Sequence, residues 1–90
     1  MKQDYITDLN GEKILIEDVQ QNGRIAFGSN LRELRKEKEL SQYKLSKMAN
    51  VERANIARIE NGKFNLSIGV MIKLAAALGK DIEINFVDRS

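Results

Sequence analysis

The sequence contains no cysteine and no histidine. The first absence removes disulfides, thiolate metal sites and thiol nucleophiles, and the second removes the commonest general base and metal ligand. Carboxylates and lysines remain, but there is no paired-carboxylate motif and no phosphate loop. Asn10-Gly11 and Asn22-Gly23 read as turn signals, not a dinucleotide fingerprint. Enzymatic activity is therefore not expected, and no metal or cofactor is implied. No apolar run approaches the roughly 20 residues needed to cross a bilayer, so a membrane span is not expected. The opening MKQDYITDLNGEK lacks an apolar h-region, so a secretory signal is not expected and the chain reads as cytoplasmic. Proline is absent throughout, and there is no internal repeat or low-complexity segment.

What is present suits one small folded unit. Ninety residues, 42% hydrophobic and 31% charged, allow a single modest core. The formal net charge is only +2, but its distribution is uneven. Residues 1–30 carry three basic and five acidic side chains, whereas residues 31–63 carry nine basic and five acidic. A positive middle segment is what a nucleic-acid footprint requires; a solvated helical surface would look the same by charge alone.

Residues 5–9 (YITDL) and 12–16 (EKILI) are short β-capable runs flanking Asn10-Gly11. Asn-Gly suits the type I′ turn of a two-residue hairpin, in which both central residues take positive φ. Such a hairpin is marginal alone and needs a surface to pack on. Gln20–Gly28, with two glycines, reads as a connector with Ile25 and Phe27 tucked inward. From Ser29 the apolar period becomes helical. Ser29 caps an expected first helix ending near Glu39, with Leu31 and Leu34 inward. Ser41 caps a second over Gln42–Ala49, with Leu45, Met48 and Ala49 inward, and Asn50 suits a left-handed C-cap. A third spans Glu52–Asn61, burying Ile56 and Ile59, and Gly62 stops it. Ser67 caps a fourth, in which Ile68, Met71, Ile72, Ala75 and Leu78 recur at helical spacing before Gly79. Leu31, Leu34, Leu45, Met48, Ile56, Ile59, Ile72 and Leu78 are the expected core, and nothing about them suggests a ligand pocket. Finally Ile82, Ile84 and Phe86 alternate with Glu83 and Asn85, the pattern of a half-buried strand. The expected organisation is a hairpin and connector over 1–28, a helical unit over 29–79, and a strand over 80–90.

The stretch from Leu40 to Gly79 carries more than periodicity. Leu40-Ser41-Gln42 opens it, Ala49 ends its second helix, and Asn50-Val51 form the turn. Ile56-Ala57-Arg58-Ile59-Glu60-Asn61-Gly62-Lys63 and a Ser67-capped helix ending Leu74-Ala75-Ala76-Ala77-Leu78-Gly79 follow. These residues resemble the phage repressor/Cro family of helix-turn-helix proteins, also called xenobiotic-response-element type. The resemblance implies a mainly α, lambda-repressor-like bundle of about four helices, here with an N-terminal hairpin and a C-terminal strand. Three positions depart from the family pattern. Asn50 replaces a glycine, Glu52 replaces a Ser or Thr cap and would repel nearby phosphate, and Leu66 replaces a proline. A strand also stands where phage repressors continue with a fifth helix.

The resemblance implies a double-stranded DNA-binding transcriptional regulator, a repressor or autoregulator, whose recognition helix 52–61 enters the major groove. By residue-for-residue match, Arg53, Ala54, Asn55 and Arg58 face base edges. Arginine can bond guanine, asparagine adenine and alanine a thymine methyl, with about 1–3 kcal/mol of discrimination per bidentate pair. Surface solubility, or an ion pair with Glu52, is the competing reading of Arg53 and Arg58. Ser41, Gln42, Tyr43 and Lys44, at a helix N-terminus, match one phosphate clamp, and Asn61 and Lys63 match another. Ser41 also serves as an ordinary N-cap, and Tyr43 reads equally as a partly buried core aromatic. Arg35 and Glu60 match a structural salt bridge. A four-base-pair half-site is too short an address, so a homodimer is expected. Ile82, Ile84 and Phe86 either pair with a second copy or join the hairpin in a three-stranded sheet. Two other functions share this core: an antitoxin with a toxin protein partner, and an interaction adaptor that does not read DNA.

Overall fold

The computed structural model describes residues 4–89. Two strands, β1 (Tyr5–Thr7) and β2 (Lys13–Leu15), are followed by four helices. These are α1 (Ile16–Glu37), α2 (Gln42–Ala49), α3 (Arg53–Glu60) and α4 (Ile68–Ala77). The strands pair antiparallel, with Tyr5 opposite Leu15 and Ile6 opposite Ile14. The hairpin is where the sequence placed it, but its turn differs. Asp8 and Glu12 close a three-residue loop, with the Asp8 N–H donating to the Glu12 carbonyl at 2.9 Å. Gly11 alone takes positive φ, at 82°, as in a type I turn followed by a left-handed glycine. The Asp8 carboxylate decides the matter by accepting from the N–H groups of both Asn10 and Glu12 at 2.9 Å.

The first helix corrects a larger expectation. It begins at Ile16 directly after β2, without a side-chain cap, and runs through residues 20–28. The connector is therefore helix, and Ser29 lies inside it. Glu17 and Asp18 in the first turn and Arg35 and Lys36 in the last complement the helix dipole. Gly28, which looked like punctuation, is a packing glycine. A Cβ there would overlap the Ile59 carbonyl oxygen and meet the Glu60 Cα at 3.1 Å. Its absence lets α1 lie directly on the end of α3.

The core gathers Leu31 of α1, Leu45 and Ala49 of α2, Ile56 and Ile59 of α3, and Leu74 and Leu78 at α4. Leu34 packs against it partly buried. Each fully buried Leu or Ile contributes about 1.5–3 kcal/mol by leaving water. Two expected core residues lie outside it: Met48 is exposed, and Ile72 is 51% exposed while Leu74 is fully buried. The expected stripe on α4 was rotated because its sequence, IGVMIKLAAA, is apolar on nearly every side. Periodicity has little contrast there. Residues 80–89 form no strand. Ile82 is half-buried, whereas Ile84 and Phe86 are exposed. The alternating pattern is real, but a strand needs hydrogen-bonded neighbours, and among the described residues the sheet has only β1 and β2. The three-stranded sheet is thereby excluded.

Candidate nucleic-acid interface

The turn between α2 and α3 is built from local chemistry. The Ser41 hydroxyl accepts from the Lys44 N–H at 2.9 Å and so starts α2. Asn50 ends it in the left-handed region at φ 55° and ψ 46°, the geometry expected where the family has glycine. The Val51 N–H returns to the Ser46 carbonyl at 3.2 Å. Glu52 precedes α3 with no side-chain capping bond, so the first N–H groups of α3 receive nothing from it.

With Ile56 and Ile59 turned into the core, α3 presents Arg53, Ala54 and Arg58 to solvent, and Asn55 is half-buried. Neither arginine pairs with Glu52: the ion pairs among the described residues join Arg32 and Arg35 to Glu60. Arg58 lies over the Phe64 ring, 5.8 Å from its centroid. Ser41, Tyr43 and Lys44 are exposed along the start of α2, and Asn61 and Lys63 are exposed just past α3. Tyr43 is thus a surface aromatic, and the Lys47 ammonium sits 5.2 Å from its ring centroid. An open groove between α2 and α3 is lined by Tyr43, Lys47, Asn50 and Arg53, among others. Lys47 escaped the sequence reading, although its spacing of four from Tyr43 on one helix was a usable signal.

A buried ionic knot holds this surface. Arg35 and Glu60, 9% and 5% exposed, form a bidentate pair, with Nε to Oε2 at 2.7 Å and Nη2 to Oε1 at 2.9 Å. Arg35 Nη1 donates to the Leu40 carbonyl at 2.8 Å. Gln42 Nε2 donates to Glu60 Oε1 at 3.1 Å, so the side chain matched to a phosphate braces α2 against α3. One amide N–H of Gln42 remains for a phosphate. Burial raises the Glu60 pKa, but the hydrogen bonds from Arg35 and Gln42 outweigh it and hold the carboxyl below its ordinary range. The Glu60 hydrogen bond, working against burial, raises Arg35. Both groups stay charged at neutral pH. Arg32, which the sequence reading also passed over, approaches Glu60 Oε1 at 3.5 Å and donates to Asn61 Oδ1 at 2.9 Å. Its position one turn before Arg35 was the available signal.

The arrangement is a small helical body whose α2–α3 groove is lined by Tyr43, Lys47 and Arg53, with Arg58, Asn61 and Lys63 exposed at the far end of α3. Among the described residues no group of acidic side chains could hold a metal ion, and no helix is long and apolar enough to cross a membrane. The helix-turn-helix family profile matches residues 31–85. Over 66 residues the chain is 39% identical to the control protein C.MunI of a Mycoplasma species, covering 72% of this chain and 89% of that one. Among solved structures it is similar to the restriction-modification controller protein C.AhdI from Aeromonas hydrophila. That likeness has a TM-score of 0.64 at 37% identity, over 67% of this chain and 91% of the other. It is also similar to a chain in a toxin-antitoxin module from Streptococcus pneumoniae, with a TM-score of 0.64 and 36% identity. That match covers 81% of this chain and 80% of the other. The match across residues 31–85, on a bundle whose α2, turn and α3 have the geometry described, establishes that this chain belongs to the helix-turn-helix family, of the phage repressor/Cro type.

Proposed function

We propose that the chain is a sequence-specific double-stranded DNA-binding transcriptional regulator, acting as a repressor or autoregulator without catalytic activity. The observation that carries this reading is the α3 surface. Arg53, Ala54 and Arg58 are exposed, Asn55 is half-buried beside them, and no ion pair engages either arginine among the described residues. They are the side chains suited to base edges. Ser41, Gln42, Tyr43 and Lys44 on one flank, with Asn61 and Lys63 on the other, serve the phosphates and fix register. The control and controller proteins to which the chain is similar support regulation as the outcome of binding. The chain acts in the cytoplasm as a homodimer that spans two half-sites. Ile84 and Phe86, exposed on a segment without a strand partner among the described residues, form part of the self-association surface.

Selection of duplexes from a randomised pool tests the reading. Enrichment of a common motif, bound with an affinity that falls steeply with salt, is the expected result. An unenriched pool overturns it. Equilibrium sedimentation tests the dimer: a 20 kDa species at micromolar concentration is expected, and a 10 kDa monomer contradicts it.

The toxin-antitoxin likeness favours a second reading, because it covers 81% of this chain against 72% and 67% for the control and controller proteins. In that reading the chain also neutralises a toxin protein. Expression of the adjacent gene product would then arrest growth, and co-expression of this chain would relieve the arrest.

A further inference from the structure

We propose that Arg32 is a positioning residue for DNA-backbone binding: it holds the Asn61 amide so that its NH2 group faces outward as a phosphate donor. The proposal rests on the DNA-binding reading above. Arginine has donors and no acceptor. The Asn61 atom 2.9 Å from Arg32 Nη2 is therefore the carbonyl oxygen Oδ1, whichever way an isolated amide would point. The Asn61 Nδ2 group has no hydrogen-bond partner among the described residues, and the side chain is exposed just past the end of α3. It is left as a donor, which is what a phosphate oxygen takes.

Arg32 is itself held. Its Nε lies 3.5 Å from Glu60 Oε1, and Glu60 is locked by the bidentate bond from buried Arg35. The orientation of a surface amide is thus traced back through Arg32 and Glu60 to the core of α1. Without Arg32 the amide has no fixed orientation, and the phosphate must order it on binding. Arg32 also carries charge, which attracts DNA whether or not Asn61 is present. That part is additive and cancels in a double-variant cycle, whereas positioning does not.

The experiment measures affinity of the full chain for the duplex enriched from the randomised pool, using wild type, R32A, N61A and R32A/N61A. R32A is expected to weaken binding at least threefold more in the Asn61 background than in the N61A background. N61D keeps a partner for Arg32 and its thermal midpoint, yet binds more weakly than N61A because a donor has become an anion. The Asn61 side-chain NH2 resonance is expected to shift on adding DNA to wild type and to shift less in R32A. Equal losses from R32A in both backgrounds overturn the proposal and make Arg32 an independent contact. Unchanged binding by R32A overturns it as well. Failure of wild type to bind any duplex overturns the DNA-binding reading, and the proposal falls with it. The wild-type measurement alone distinguishes that case.

Discussion

Replacing Glu60 by Gln keeps the shape of the ionic knot and removes its negative charge. The carboxylate accepts from Arg35 twice, at 2.7 and 2.9 Å, and from Gln42 at 3.1 Å. A carboxamide has one oxygen, so its NH2 end must face donors that now lack an acceptor. The guanidinium of Arg35, only 9% exposed, is left as an unpaired buried cation. Breaking one side of such a pair costs about 3–5 kcal/mol, a large part of the 5–15 kcal/mol typical of a folded domain. For a domain of this size each kcal/mol lowers Tm by about 4–8 °C. Urea unfolding followed by circular dichroism gives the difference, measured from neutral pH downwards. Because the folded pKa of Glu60 lies below its ordinary value of 4.5, the stability it supplies is complete above that value. It is lost as pH falls through the folded pKa. The gap between wild type and E60Q should therefore be constant from pH 7 to about 4.5 and shrink below that. A gap under about 0.5 kcal/mol, typical of an ordinary surface change, or one unaffected by acid would refute this reasoning.

Two glycines of α1 should respond in opposite directions. Gly28→Ala should destabilise by about 1–3 kcal/mol because its Cβ meets the backbone of α3, whereas Gly23→Ala, with open space around it, should stabilise by about 0.5–1 kcal/mol. Thermal melts of the two variants check both signs. On α4, Leu74→Ala should cost about 2–5 kcal/mol and Ile72→Ala about 0.5 kcal/mol or less in dilute solution. Urea midpoints separate them. Glu52→Ser supplies the missing cap to α3 and removes an anion beside the proposed DNA surface. It should add about 0.5–1 kcal/mol of stability and tighten DNA binding, as read by melts and anisotropy.

The sequence disclosed most where structure is set by local chemistry. Ser41 and Ser67 both cap the helices they were expected to cap, and Asn50 adopts the expected left-handed turn. The caps and helix bounds within residues 40–79 were legible because capping, period and motif agreed there. Where a distant partner decides, sequence was a poorer guide. Gly28 reads as a breaker until α3 is laid against it, and nothing local distinguishes such a packing glycine from a turn. Asn10-Gly11 suggested a two-residue turn, but Asp8 on the flank imposed a longer one. Ile72 carries the hydrophobicity of a core residue and points outward, as side chains do on a helix with little polar contrast. Met48 is exposed on α2 while Leu45 and Ala49 fill the core. Residues 82–86 have a strand's alternation without a strand partner among the described residues. At the candidate interface, resemblance supplied the residues proposed to face bases and phosphates. Arg32 emerged only once α1 and the end of α3 were side by side.

In the proposed function α3 reads sequence while its flanks bind backbone. The most direct measurement is the ratio of affinities for the enriched duplex and its scrambled counterpart, in wild type, R53A, R58A and K63A. Removing either arginine should lower that ratio by about ten- to a hundredfold, the equivalent of one bidentate base contact. K63A should weaken both affinities alike, leave the ratio unchanged and reduce the salt slope by about one. An unchanged ratio in both arginine variants would contradict the account and leave α3 as a surface that does not read DNA.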